Sequence, residues 1–479
     1  MSNNVDSCGH VSGTAASIHI DAELIEKYDK LSPRYISYPT SDRFIEAYNA
    51  RSHQTTLEQR GITWGPTAYA NARPFSLYVH IPFCSTVCHF CCCNKVITSD
   101  HSRATRYLRA LEHEFALVAG MLKGSHRTEQ VHLGGGTPTF LSIVELQTLM
   151  RALGNHFELS SGEYAIEIDP RTVDDEKTAA LVHLGFNRMS LGVQDFDPGV
   201  QKAVNRIQSE EQTANAIETA RKHGVTSITI DLIYGLPKQN IIGFNRTLDR
   251  VLALKPDRIA LYGYAHQPAM FKPQRRIHAV DLPNAESRLQ IAMLAIKKLT
   301  DAGYVYIGLD HFALPHDELS LAAGQARLHR SFQSSSVRPE NDLLAFGVSA
   351  ISKIGTTYSQ NVMTLAGYYD HLERAELPVW RGIELAADDL LRRAVIQSLT
   401  CHFELSIESI EIAHLISFRD YFADEWERLE RLEREGLVTL EPEWISVTPR
   451  GRLLVRSIAV IFDRYVTRGE QRERSSSII

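Results

Sequence analysis

The stretch Leu77-Tyr-Val-His-Ile-Pro-Phe-Cys-Ser-Thr-Val-Cys-His-Phe-Cys-Cys-Cys-Asn-Lys95 opens as an apolar run and then places five of the chain's seven cysteines within ten residues, 84 to 93. Its first half reads as a buried strand. Runs of the same kind recur at Gln130-Val-His-Leu, Tyr164-Ala-Ile-Glu-Ile, Arg188-Met-Ser-Leu-Gly-Val, Ser227-Ile-Thr-Ile-Asp-Leu-Ile, Arg258-Ile-Ala-Leu-Tyr and Tyr304-Val-Tyr-Ile. Between them lie helical stretches such as Glu210 to His223 and Ala285 to Ala302, whose apolar residues recur at three and four. Three of these helices end at Gly185, Gly224 and Gly303, where glycine accommodates the left-handed cap before the next strand. Ser142-Ile-Val-Glu145 reads as a capping box that opens another helix. Repeated βα units favour a parallel sheet, open or curled. A full or partial (β/α) barrel is the α/β fold expected, although a doubly wound sheet gives the same string.

Around this core, residues 1–72 read as an N-terminal arm of helix and loop, 73–384 as the barrel and its extension, and 385–479 as a mainly helical C-terminal domain. In the last, Asp388 to Thr400 and Tyr421 to Glu435 are amphipathic, Gly436-Leu-Val-Thr-Leu faces Ile445-Ser-Val-Thr across a turn near Pro442, and a final helix is expected from Gly451 to Arg468. Helices followed by a small hairpin resemble a winged-helix module, which here lacks the basic stripe that phosphate contact requires. Packing against the main domain is the role expected of it.

Forty-four per cent hydrophobic and 23% charged residues suit a folded globular chain of 479 residues. A net charge of -6 gives no field that would draw nucleic acid or an anionic membrane, and the basic cluster lies in the tail around Arg464 to Arg474. The polar start lacks a secretory pattern, and no apolar stretch reaches the roughly 18 residues that span a bilayer. A cytoplasmic location is therefore expected. In that reducing compartment crowded cysteines point to metal or redox chemistry, with Cys8 and Cys401 incidental.

Cys84, Cys88 and Cys91 stand as C-x3-C-x2-C. A structural zinc site wants four ligands, and no second pair of Cys or His follows at such spacing. A c-type haem attachment needs histidine at 92, which is cysteine, and a thioredoxin-like pair leaves Cys84 without a part. Three close thiolates suit a 4Fe-4S cubane with one iron left open. The spacing resembles the signature of the radical S-adenosylmethionine superfamily, in which the open iron chelates that cofactor's amino and carboxylate groups. Strand-end residues fit the same picture. The run Gly134-Gly-Gly-Thr-Pro-Thr139 lets backbone approach a ligand, though glycines after a strand also make plain turns. Glu167 and Asp169 share a face where a carboxylate meets a ligand ammonium, or else forms a salt bridge or cap. Gln194 and Asp231 repeat that placement; Arg206 is a carboxylate clamp or a solvated loop residue, and Tyr78 and His80 are site or core residues.

Taken in order, Tyr78-Val-His-Ile-Pro-Phe-Cys, Gly134-Gly-Gly-Thr-Pro-Thr, Ile166-Glu-Ile-Asp-Pro-Arg, Gly192-Val-Gln-Asp-Phe, Ile230-Asp-Leu-Ile-Tyr-Gly-Leu-Pro and Gly347-Val-Ser-Ala-Ile-Ser resemble the oxygen-independent coproporphyrinogen III oxidases. The likeness runs from Pro33-Arg-Tyr-Ile-Ser-Tyr-Pro-Thr40 almost to the end. It implies a radical-bearing barrel, a tetrapyrrole substrate, a separate reductant, a monomer and two S-adenosylmethionine molecules. By motif, Cys84, Cys88 and Cys91 hold the cluster. Tyr78, Gly135, Glu167 and Ile351 contact the first S-adenosylmethionine, with Tyr78 and the three cysteines expected to be catalytic. Phe90, Gly136, Thr137, Gln194, Arg206, Asp231 and Ala265 contact the second. Cys93, two residues past the motif, is typical of the oxidases and not of the related haem chaperones, which also have a shorter arm. Three departures stand out: Cys92 where glycine is usual, His89 where tyrosine is usual, and Leu328-His-Arg-Ser-Phe-Gln-Ser-Ser-Ser336 in place of an Asn-Phe-Gln-Gly-Tyr run.

A radical decarboxylase of coproporphyrinogen III is the leading expectation. The alternatives are a haem-binding chaperone, suggested by twenty histidines including His311 and His329, another tetrapyrrole-modifying paralogue, and a nucleic-acid modifier working through the wing-like module.

Overall fold

The computed structural model describes residues 22–28, 35, 37–60, 74–330, 335–336 and 341–466. Cys8, residues 331–334 of the serine run and the tail beyond 466 lie outside them. Twelve strands form the main sheet: β1 (Phe75–Ile81), β2 (Arg127–Gly135), β3 (Glu158–Ile168), β4 (Arg188–Gln194), β5 (Ser227–Tyr234), β6 (Arg258–Gly263), β7 (Val305–Gly308), β8 (His311–Ala313), β9 (Asp342–Phe346), β10 (Ile351–Ile354), β11 (Thr357–Asn361) and β12 (Val379–Glu384). Their order is β12-β11-β10-β9-β1-β2-β3-β4-β5-β6-β8-β7. From β9 through β1 to β6 every neighbouring pair is parallel, and both flanks are antiparallel. The ladder is open at β12 and β7, the partial form of the barrel expected. A backbone bridge from Ile45 to Gly382 covers the β12 edge, which would otherwise offer unpaired amides.

Helices fill the crossovers as the periodicity predicts, notably Glu210–Lys222 and Ala285–Asp301. Gly185, Gly224 and Gly303 all take positive φ at the helix ends, and Ser142 and Glu145 close their capping box. Two expectations fail. The run at Tyr304 is not another parallel strand: Gly308, Leu309 and Asp310 all have positive φ and fold the chain back, so β7 and β8 form an antiparallel hairpin. The terminal helix is not continuous either, but breaks into a 3-10 turn at Arg452–Leu454, a short helix at Val455–Ala459 and a second 3-10 turn at Val460–Phe462.

One apolar core runs from the sheet into the C-terminal segment, taking in Val79, Leu133, Ile230, Leu399, Phe418 and Phe462. There the expected hairpin exists, with β13 (Glu404–Ser406), β14 (Val438–Leu440) and β15 (Trp444–Val447) making a small antiparallel sheet. Buried Arg456 pairs with Asp310 at the β7–β8 turn, and Asp463 accepts from Tyr35 of the arm at 3.0 Å, so this segment is docked on the sheet edge.

A buried acid braces the site from behind. Glu114, on helix α1 (His101–Met121), accepts from Gly347 N at 2.8 Å, Asn361 Nδ2 at 2.7 Å and Tyr368 Oη at 2.5 Å. Burial pushes its carboxyl up to about 7 against those three donors. Gly347 has φ +96°, and a Cβ there would stand 2.3 Å from Tyr107 Oη and 2.8 Å from His80 O, so only glycine fits. Glu114→Ala leaves three donors without an acceptor inside the core and is expected to lower unfolding stability by about 3 kcal/mol. Denaturant melts would read this as a shifted midpoint at constant slope.

Candidate active site

The parallel strands bring their C-terminal ends to one side, and there β1 passes into the cysteine loop. Ile81 and Gly135 are register partners, which sets the glycine run directly beside the loop. A Cβ on Gly136 would meet Pro82 O at 2.7 Å and Cys84 Sγ at 2.9 Å, and Gly135 has φ +121°. The glycines are thus demanded by close approach rather than by a turn alone. The loop is clasped by a short parallel ladder between Phe83–Cys84 and Val96–Ile97. It is also stitched to the segment after helix Pro198–Ala203: His89 N donates to Val204 O at 2.9 Å, the His89 ring lies 3.2 Å from Ala203 O, and Asn205 Nδ2 donates to Val87 O at 2.8 Å. His89 therefore has a structural partner of its own.

Cys84 and Cys88 are buried, Cys91 is half-buried, and Cys92 and Cys93 are exposed. The Cys93 thiol, hydrogen-bonded to Cys91, brings Cys91 down to about 6, whereas burial raises Cys84 to about 11. Thr137 Oγ1 donates to Cys84 Sγ at 3.4 Å, and Arg206 Nη1 lies 3.7 Å from Cys88 Sγ. Among the described residues no three His, Cys, Asp or Glu side chains converge on a single ion. A cubane holds its thiolates apart on separate irons, so a trio that binds one need not converge on a single point.

On β1, Tyr78 Oη lies 3.2 Å from His80 Nδ1, and His80 Nε2 lies 2.9 Å from Asn94 O. The carbonyl requires Nε2 to carry the proton, so Nδ1 accepts from Tyr78. Burial holds both side chains neutral, lowering His80 and raising Tyr78. Glu167 accepts from Gly135 N at 3.1 Å and keeps its other oxygen 3.4 Å from His132 Nε2. Asp231 lies on the same inner face, accepts from Ser190 Oγ at 3.0 Å, and is pushed up to about 7 by burial and then by Glu167. Gln194 sits at the end of β4 with φ +70°, a conformation costly for a residue with a Cβ.

Arg206 is buried, not solvated. Its Nη2 donates to Gly192 O at 2.7 Å and its Nη1 to Asp169 at 3.2 Å. Asp169 also takes Arg171 on both oxygens and caps the turn Pro170–Thr172, so of its two readings the salt bridge and cap hold. Ile351 packs with Phe44, Tyr358 and Leu385. Phe90 joins an apolar cluster of Val200, Val204, Leu236, Tyr264 and Ile277. His311 turns its Nδ1 to Leu309 O at 3.0 Å.

Sequence reasoning missed Gln274. Buried at 1% exposure, its amide donates to Phe90 O and Ala265 O, both at 3.1 Å, and accepts from Gln267 N at 2.5 Å. It ties the cysteine loop to the segment after β6. Gln274→Leu keeps the bulk but strips both carbonyls of their donor, and is expected to cost about 2 kcal/mol of unfolding stability, read as a lowered denaturant midpoint.

The chain is 48% identical over 466 residues to an oxygen-independent coproporphyrinogen III oxidase of Pseudomonas aeruginosa, covering 97% of this chain and 99% of that one. It belongs to the oxygen-independent coproporphyrinogen III oxidase family. The relative of that name from Escherichia coli is 43% identical over 460 residues, 96% of this chain and 98% of its own. The solved structure of coproporphyrinogen III oxidase from Escherichia coli, described as a radical SAM enzyme, superposes with a TM-score of 0.87 at 42% identity, over 94% of this chain and all of that one. Within the oxidase chain, residues 78–251 match the model of the radical SAM superfamily and 385–454 that of the HemN C-terminal domain. Superfamily membership implies a 4Fe-4S cluster and S-adenosylmethionine, and the residues fit them. The three motif thiols lie in one loop, a glycine cradle excludes any Cβ, and among the described residues two buried polar atoms, Gln194 Oε1 and Arg206 Nε, have no hydrogen-bond partner. Among the described residues of this oxidase family member no helix is long and apolar enough to cross a membrane.

Proposed function

We propose that the chain oxidatively decarboxylates two propionate side chains of coproporphyrinogen III without oxygen, leaving vinyl groups and yielding protoporphyrinogen IX for haem synthesis. When bound, the 4Fe-4S cluster and S-adenosylmethionine supply the radical that abstracts hydrogen from the propionate β-carbon. Cys84, Cys88 and Cys91 would hold the cluster through their thiolates. Tyr78, Gly135, Glu167 and Ile351 contact one S-adenosylmethionine. Glu167 is aimed for this by the Gly135 amide on one carboxylate oxygen, while the other, 3.4 Å from His132 Nε2, keeps a further lone pair to accept from an ammonium. Phe90, Gly136, Thr137, Gln194, Arg206, Asp231 and Ala265 contact a second molecule. The unpartnered Gln194 Oε1 and Arg206 Nε are the acceptor and donor offered there.

In this reading residues 1–72 are an arm, 73–384 the catalytic unit and 385–479 a cover, and the protein works as a cytoplasmic monomer fed by a separate reductant. The observation that carries the assignment is near-full-length similarity at 48% identity in a chain whose three motif cysteines gather beside an obligatory glycine cradle. Anaerobic incubation of reconstituted protein with coproporphyrinogen III, S-adenosylmethionine and a reductant tests it. Each converted propionate should lose one carbon dioxide and two hydrogens by mass. Formation of 5′-deoxyadenosine with no such product would reject the substrate and keep the radical chemistry.

A further inference from the structure

We infer that Thr137 and Arg206 raise the reduction potential of the cluster by hydrogen-bonding to the sulfurs of Cys84 and Cys88, a task separate from contact with S-adenosylmethionine. The inference rests on the cysteine trio holding the cluster, and not on the identity of the tetrapyrrole.

Thr137 occupies the N-cap of the turn Pro138–Phe140, the place where a threonine hydroxyl ordinarily accepts from the backbone of the following turn. It makes no such bond. Its Oγ1 instead donates to Cys84 Sγ at 3.4 Å. The backbone on either side fixes this choice, since Gly136 N donates to Ile81 O at 2.8 Å and Phe140 N to Thr137 O at 2.9 Å. Arg206 approaches the second sulfur from across the loop, with Nη1 3.7 Å from Cys88 Sγ. It is held there by Gly192 O and by Asp169, which Arg171 grips in turn. Two arginines flank one aspartate, so this group, with Asp169 and Arg206 buried and Arg171 half-buried, carries one net positive charge toward the thiolates.

Donors and positive charge at ligand sulfurs withdraw electron density from an iron-sulfur cluster. The reduced cluster carries one more negative charge than the oxidised one, so it gains more from each donor, and the potential rises. Thr137 is a positioning residue in this sense: it acts on the iron through Cys84.

Reconstituted protein, titrated anaerobically with dyes of graded potential and followed by electron paramagnetic resonance, tests this without any tetrapyrrole. Thr137→Val removes the hydroxyl while keeping the shape, and its midpoint should move to more negative potential. Thr137→Ser keeps the donor and should stay with the parent. Arg206→Gln should also move negative. An unmoved Thr137→Val, or a Thr137→Ser that falls as far as the valine variant, overturns the inference. If the valine variant takes up no iron, the unaltered protein decides: iron-cysteine stretching bands that shift in heavy water support a hydroxyl-to-sulfur bond, and bands that do not shift overturn it.

Discussion

Cys84→Ala, Cys88→Ala and Cys91→Ala are each expected to give colourless protein with no bound iron after anaerobic reconstitution, while Cys92→Ala remains brown. In the proposed site each of the first three removes one of the three thiolates that hold the cluster, and a cubane left with two is not expected to be retained. Cys92 is exposed and stands beside the trio rather than in it. The loss should not be a loss of fold, because backbone bonds that alanine keeps hold the loop: Val96 N to Pro82 O at 2.7 Å, Thr98 N to Cys84 O at 3.0 Å and His89 N to Val204 O at 2.9 Å. Circular dichroism of the three variants should therefore match the parent. Full iron content in any of them would break the ligand assignment, and an iron-free Cys92→Ala would make the extra cysteine a ligand.

Legibility in the sequence followed the strength of local physics. The parallel strands β1 to β6 were readable because strands of a buried sheet are β-branched and apolar, and because glycine caps end several of the intervening helices. The Tyr304 run looked the same locally. What reversed it is a turn of Gly308, Leu309 and Asp310, which carries none of the usual hairpin pairs. β9 pairs with β1, a partner far away in the chain, and no periodicity reports such a neighbour.

The same contrast runs through the site. C-x3-C-x2-C names its chemistry by spacing alone. Arg206 was legible only as a clamp or a solvated loop residue, and its contacts with Asp169 and Gly192 are what distinguish the two. Gln274 was invisible: in Lys272-Pro-Gln-Arg-Arg276 it reads as one more polar residue of a surface turn, and its importance comes from two carbonyls contributed by distant segments. Spacing carries chemistry when the residues are close in the chain, and topology carries it when they are not.

Asp231→Asn is expected to stabilise the cofactor-free protein at alkaline pH while impairing the site. The carboxyl of half-buried Asp231 is pushed up to about 7, first by desolvation and then by the charge of Glu167. Because its folded pKa lies above the ordinary 3.8, its contribution to stability is complete below about pH 3.8 and is lost as pH rises through 7. A shift of that size corresponds to at most about 4 kcal/mol. Asparagine carries no charge to desolvate, so the variant should unfold later than the parent at pH 8 and together with it at pH 4. In the proposed site the same ionised carboxylate accepts from S-adenosylmethionine, and losing a charge-assisted hydrogen bond of about 1.5–3 kcal/mol weakens binding roughly tenfold to a hundredfold. Thermal melts across pH 4 to 8, set beside S-adenosylmethionine titrations, separate the two effects. If the parent's stability does not fall relative to the variant's between those pH values, Asp231 is not the strained acid its burial implies. Should affinity survive the substitution, this carboxylate is held against its solvation for some purpose other than the second cofactor.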